Sequence, residues 1–99
     1  MVIHSVYFTL KDKNPSVVAA FLEDTKTFGA NIPNILYLQA GAALPATRPI
    51  HDKEFDIALV SAFPSQEALQ TYLVHPDHLA YCARHEGNWA GIRVFDFES

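Results

Sequence analysis

With 99 residues, 49% of them hydrophobic and 18% charged, the chain is long enough for one core and one domain over residues 1–99, and too apolar to remain disordered. Seven basic against eleven acidic residues give a formal net charge of −4, and the basic ones are scattered, so nothing marks the chain for nucleic acid or an anionic membrane surface. One cysteine, Cys82, excludes an intrachain disulfide and fits a reducing compartment. Together with the lack of a signal-like start or of an apolar run able to cross a bilayer, it leads to an expected cytoplasmic location.

Val2 to Leu10 alternates, with Val2, His4, Val6, Phe8 and Leu10 on one side and Ile3, Ser5, Tyr7 and Thr9 on the other, which predicts a strand. After the polar turn 11–14, Asn14 as N-cap and Pro15 at the first helical position open a helix to about Phe28. Val18, Phe21, Leu22 and Phe28 form its apolar stripe, and Gly29 marks its end. Ile35 to Gly41 reads as a second strand, and Ala42 to Asp52, with Pro45 and Pro49, as a long loop whose His51 is expected to be solvated. Phe55 to Phe63 is the third strand; Ser65 caps a helix from Gln66 to Val74. Pro76 opens a further helix to about Glu86, stopped by Gly87-Asn88, and Ile92 to Phe97 is the last strand. The order βαββααβ predicts a ferredoxin-like α+β fold, a four-stranded antiparallel sheet with helices on one face.

The strand patterns also speak to assembly. A sheet with one face in water should alternate apolar and polar residues. Here the third strand sets Phe55, Ile57, Leu59 and Phe63 against Ala58, Val60 and Ala62, and the last sets Ile92 and Val94 against Phe95 and Phe97. Helices can cover only one of these faces, so a homodimer packed through the other sheet face is expected.

Thr71 to Tyr81 concentrates the chemistry, holding two of the five histidines, two tyrosines and Pro76 in eleven residues. Proline disfavours the helical conformation at His75, so one helix should end there and the next begin at a bend. Such a junction can aim a histidine and a tyrosine into one cavity. It can equally leave His75 and His78 as junction residues tied to nearby backbone, a common state for histidine.

The segments Val2-Ile3-His4-Ser5-Val6, Ile32-Pro33-Asn34-Ile35, Phe55-Asp56-Ile57-Ala58-Leu59-Val60, Tyr72-Leu73-Val74-His75-Pro76-Asp77-His78 and Val94-Phe95-Asp96-Phe97 resemble the stress-responsive A/B barrel family. The resemblance spans nearly the whole chain, and Tyr-x-x-His-Pro-x-His is its most specific part. It implies a dimeric α+β barrel with a pocket between sheet and helices in each subunit. In the family's polyketide cyclase branch a histidine and a tyrosine act as base and hydrogen-bond donor in the aldol closure of a poly-β-ketone, without a cofactor. Carried over, His78 would be the base and Tyr72 the donor. His4, His75, Phe21 and Trp89 would bind a small hydrophobic or polyketide-like ligand. The third strand departs from the cyclases by carrying Ile57 where they place an additional histidine. A neutral imidazole can remove a proton flanked by carbonyls, and a phenol can stabilise the enolate formed.

Other chemistries share these residues. His78, Cys82 and His85 lie on one helical face as three potential metal ligands, though one helix rarely surrounds an ion alone. Cys82 is a candidate nucleophile or a small core residue. Phe21, Tyr81 and Trp89 are a ring-stacking surface or plain core. The absence of a flavin, haem or nucleotide signature leaves a cofactor-free oxygenase of aromatic compounds as another enzymatic reading. A dimer that binds a hydrophobic ligand without turnover is the non-enzymatic one.

Overall fold

A computed structural model describes residues 1–52 and 54–99. It contains β1 (Val2–Leu10), α1 (Pro15–Thr27), β2 (Tyr37–Ala42), β3 (Ile57–Phe63), α2 (Gln66–Val74), α3 (Pro76–His85), a short 3-10 turn (Glu86–Asn88) and β4 (Trp89–Glu98). This is the ferredoxin-like α+β arrangement, with an antiparallel sheet in the order β2-β3-β1-β4.

The helices begin where the sequence places their caps. The Asn14 side chain accepts from the Ser16 N–H, and Ser65 from the Ala68 N–H, so each start satisfies a backbone donor that would otherwise be orphaned. Gly29 follows α1 as expected, but for a different reason than a left-handed cap, since no glycine among the described residues has positive φ. A Cβ at Gly29 would stand 3.1 Å from the Leu38 side chain and 3.2 Å from that of Ile35, so the glycine lets α1 and β2 approach closely.

Three strand starts shift from expectation, and β2 and β4 each end one residue later. β2 starts at Tyr37 because Asn34, at φ 63°, turns the chain just before it. β3 starts at Ile57 because Asp56 is bound elsewhere: its N–H donates to the Phe8 carbonyl at 2.7 Å and its carboxylate accepts from the Leu10 N–H at 2.8 Å and the Lys13 ammonium at 2.6 Å. This bend also places the Phe55 ring against Tyr7, 5.2 Å between centroids, on the side opposite the Ile57 and Leu59 row with which it was grouped. β4 starts at Trp89, which pairs with Leu10 across a register shift in β1.

Even-numbered β1 residues face the helices. Phe8 meets Phe21 of α1 edge-on at 5.1 Å, and Phe63 of β3 meets Tyr72 of α2 at 5.0 Å. The core between the layers is aromatic, with Phe8, Phe21, Phe28, Phe63, Tyr72 and Tyr81 all buried. Phe28 and Tyr81 stack at 4.0 Å, and the Tyr81 hydroxyl is satisfied by Thr25 at 2.7 Å. β4 runs along the sheet edge beyond the helices. Ile92 and Val94 on its helix-facing side and Phe95 and Phe97 on the other are therefore all about half exposed.

Candidate active-site cavity

The bend at Pro76 is built by His75. This residue closes α2 and caps α3, its Nδ1 accepting from the Asp77 N–H at 3.0 Å. An imidazole here does the work usually given to a serine or aspartate side chain. That role directs His75 to the backbone of its own junction, and it is not among the residues that line the cavity described next.

Behind the junction a cavity of about 140 Å³ lies between α2, α3 and the sheet. His4, Val6 and Phe8 of β1, Leu59 of β3 and Ile92 and Val94 of β4 form its floor, while Tyr72, Leu73, His78, Tyr81 and Cys82 form its roof and Trp89 one end. Its buried walls sit over β1 and β3, and its exposed ones, Ile92 and Val94, place the mouth on the β4 side. Of the residues singled out from the sequence, His4, Tyr72, His78 and Trp89 meet here. Phe21 does not: it packs between Phe8 and Tyr81 and borders a separate, open cleft on the far side of Trp89.

The hydrogen bonds fix protonation. His78 Nδ1 lies 3.0 Å from the Leu73 carbonyl oxygen, which only accepts, so Nδ1 carries the proton and Nε2 keeps its lone pair. Burial holds this imidazole below the ordinary histidine range; the Leu73 bond pulls the other way, and charge on His4 pushes it further down. At neutral pH His78 is therefore an uncharged base with one free nitrogen. The tie to nearby backbone expected of a junction histidine is made by Nδ1, and Nε2 stands outside that bond.

Tyr72 is fully buried, with its ring 4.6 Å from that of His78 and 6.0 Å from that of His4. Its hydroxyl has no hydrogen-bond partner among the described residues. Burial, reinforced by Cys82, raises its pKa well above the usual phenol value, so it remains a donor. The nearby Ser61 hydroxyl opposes that shift; its own hydrogen bond goes to the His4 carbonyl oxygen, at 3.5 Å. A buried phenol without a partner is costly to leave unpaired, and a ligand carbonyl would satisfy it.

His4 is held by a residue that the sequence reading did not single out. Its Nδ1 is 2.5 Å from the Asp96 carboxylate, an acceptor, so Nε2 is the nitrogen left for other contacts. Asp96 is the direct cross-strand partner of His4. A buried histidine on the apolar face of β1 calls for such a partner, and Asp96 continues the Ile92, Val94 alternation on β4; pairing the two strands would have found it. Cys82 was weighed as a nucleophile, and its Sγ lies 3.8 Å from His78 Nε2.

The three potential metal ligands on α3 diverge. His85 binds Asp24 at 2.5 Å, beside a two-pronged Arg84 contact to the same carboxylate, while His78 turns to Leu73. Among the described residues no three side chains are gathered to hold a metal ion. His51 is exposed in the long loop, where its Nδ1 accepts from the N–H groups of Thr47 and Arg48 at 3.3 and 3.2 Å. No helix among the described residues is long and apolar enough to cross a membrane.

A ferredoxin-like sheet with a histidine–tyrosine cavity beneath its helices defines a class of small α+β barrel subunits. Within it, the family model described as Stress responsive A/B Barrel Domain (Dabb) matches residues 2–99, and the chain belongs to this family. A Bacteroides fragilis protein, described as dimeric, of unknown function and with a ferredoxin-like fold, is 26% identical with a TM-score of 0.78, over 99% of this chain and 95% of that one. A Dabb family protein from Mesorhizobium loti is 24% identical with a TM-score of 0.82, over 99% and 95%. A hydroxynitrile lyase from Passiflora edulis shares the fold at 18% identity with a TM-score of 0.80, over 97% and 90%. Among curated proteins nothing matches the chain.

Proposed function

We propose that this protein is a homodimer whose cavity takes a small carbonyl compound and catalyses its chemistry by cofactor-free proton transfer, with His78 as base and Tyr72 as donor. The observation that carries the reading is the pairing of a free, uncharged His78 Nε2 with a buried Tyr72 hydroxyl that lacks a partner, both on one apolar cavity. A ligand carbonyl accepting from Tyr72 would have its α-carbon beside Nε2. Proton removal then gives an enolate whose charge the phenol holds in a dry site, where a single hydrogen bond counts for most. The enolate can attack a second carbonyl of the same molecule, an aldol closure. His4, positioned by Asp96 through Nδ1, offers Nε2 as an acceptor for a ligand hydroxyl.

Size bears on the substrate. A cavity of about 150 Å³ holds benzene, so the 140 Å³ here suits one ring or a short β-dicarbonyl. The remainder of a longer polyketide-like chain would lie across the exposed Ile92 and Val94 at the mouth.

The test uses ethyl acetoacetate as probe, following exchange of its α-protons with D2O by NMR and its binding through the fluorescence of Trp89, the single tryptophan. The wild type should speed exchange over buffer, and His78→Ala should remove on the order of a hundredfold while leaving binding largely intact. Binding with no exchange above buffer would instead identify a ligand-binding dimer without turnover.

A further inference from the structure

Cys82 is not needed for proton transfer, yet it borders the same cavity as His78 and Tyr72. Its Sγ is 3.8 Å from His78 Nε2 and 4.0 Å from Nδ1, and of the two Nε2 is the acceptor, because Nδ1 is bound to the Leu73 carbonyl. A thiol, a base oriented by a fixed acceptor, and a donor on a residue of the same cavity wall make up the parts of an activated sulfur nucleophile. The donor is the independent sign of a ligand: the Tyr72 hydroxyl is fully buried and without a partner among the described residues.

We infer that Cys82 adds to the β-carbon of a small α,β-unsaturated carbonyl compound held in the cavity, with His78 shuttling the proton and Tyr72 donating to the carbonyl oxygen. In the first step the S–C bond forms and the π pair of the C=C bond moves into the enolate, while the thiol proton passes to His78 Nε2. In the second step the imidazolium returns that proton to the α-carbon. The product is a thioether that contains every atom of thiol and enone, with no oxidant, reductant or co-reactant. Burial, with Glu86 adding to it, raises the Cys82 pKa, so the sulfur rests as a thiol. A resting thiol is a poor nucleophile in bulk solution. Its reactivity therefore depends on a ligand that sits against Tyr72 and on the neighbouring base, which makes the site selective for small carbonyl electrophiles.

The inference rests on the assignment of Nε2 as the cavity base. Methyl vinyl ketone is the probe, with intact mass and peptide mapping as readout and glutathione under the same conditions as reference. One adduct should form on Cys82 at pH 7, faster than on glutathione, and the rate should fall about tenfold or more in His78→Gln and in Tyr72→Phe. Tyr72→Phe keeps the ring and removes only the hydroxyl, so thermal melting confirms that it is folded and it decides the matter if His78→Gln is not. Labelling slower than glutathione, or unchanged in folded Tyr72→Phe, overturns the nucleophile. Exchange of ethyl acetoacetate needs no bond to sulfur, so lost labelling with intact exchange rejects Cys82 alone, while loss of both rejects the base as well.

Discussion

His78 gains its chemical character from two opposed contacts, and this fixes the sign of a pH dependence. Only the unprotonated ring is a base, and burial moves its pKa down, so less acid-form His78 is present at any given pH than for a free histidine. The acid limb of kcat/KM for α-proton exchange should therefore fall below the ordinary histidine value near 6.5 and not above it. A limb above that value would mean that the imidazole works as an acid or that another group is the base. Asp96 acts one step further out, by holding His4 through Nδ1. Asp96→Asn should slow exchange by about tenfold, in line with what outer partners of a positioned histidine contribute. It should also shift the acid limb, because the charge on His4 feeds into His78; a purely structural role would move melting temperature and leave the profile in place. From the sequence, Tyr72 and His78 were readable because proline forces the bend that brings them together. Asp96, the Leu73 carbonyl and the displacement of His75 and Phe21 from the cavity were not, since each depends on strand register or on which way a side chain turns at a cap.

The junction between α2 and α3 rests on one imidazole. His75 Nδ1 must be unprotonated to accept the Asp77 N–H, and it satisfies a donor that Pro76 alone leaves open at the start of α3. Replacing His75 by Ala should cost about 1 kcal/mol, the usual value of an N-cap, and replacing it by Asn or Asp should restore most of that. Urea midpoints at constant slope measure it; equal losses for Ala and Asn would show that the ring matters by packing and not as a cap. A second tie joins α1 to α3 through Asp24. Burial works to raise the pKa of this carboxyl, but His85 and Arg84 outweigh it and hold it below the ordinary carboxylate value. A depressed folded pKa means that the contribution is present above the unfolded value near 3.8 and is lost as pH falls through the folded one. Asp24→Asn should thus lower stability at pH 7 by about 1 kcal/mol, discounted for the half-exposed Arg84, and the gap to wild type should narrow as pH falls below 3.8. Elements with an explicit signal were legible to within a residue: the Asn14-Pro15 and Ser65 caps and the alternation of β1. Strand starts were not, because the pull of Asp56 towards β1 and the left-handed turn at Asn34 are tertiary and backbone effects that hydrophobic period does not record.

The two faces of the sheet explain why this subunit should pair. Helices cover the face of Val6, Phe8, Ile57 and Leu59, and the other face carries Tyr37, Phe95 and Phe97, all large and exposed. The long loop reinforces that surface and does not hide it: Asp52 pairs with Arg93, whose guanidinium lies 5.5 Å over the Phe95 ring, and Phe55 packs on Tyr7. What results is a largely aromatic and aliphatic face interrupted by Ser5 and Gln39 and bordered by Asp52 and Arg93, a mixed composition in keeping with an interface. A standard interface takes about 800 Å² from each partner, a small part of the chain's accessible surface of 6047 Å². Packing two such faces back to back leaves both cavities on the outside, under their own helices, with mouths along β4. Light scattering at micromolar concentration should give twice the mass of the 11.0 kDa chain. The double substitution Phe95→Lys and Phe97→Lys should give the monomer mass, since charges on a desolvated sheet face cannot be paired there. Melting temperature should rise with protein concentration in the wild type and lose that dependence in the variant. Because neither residue borders the cavity, a folded monomer that still exchanges the α-protons of ethyl acetoacetate would assign the dimer to stability alone. A monomer that loses exchange while still binding the probe would instead show that the barrel sets the shape of β4, and through Asp96, Ile92 and Val94 the geometry of the site.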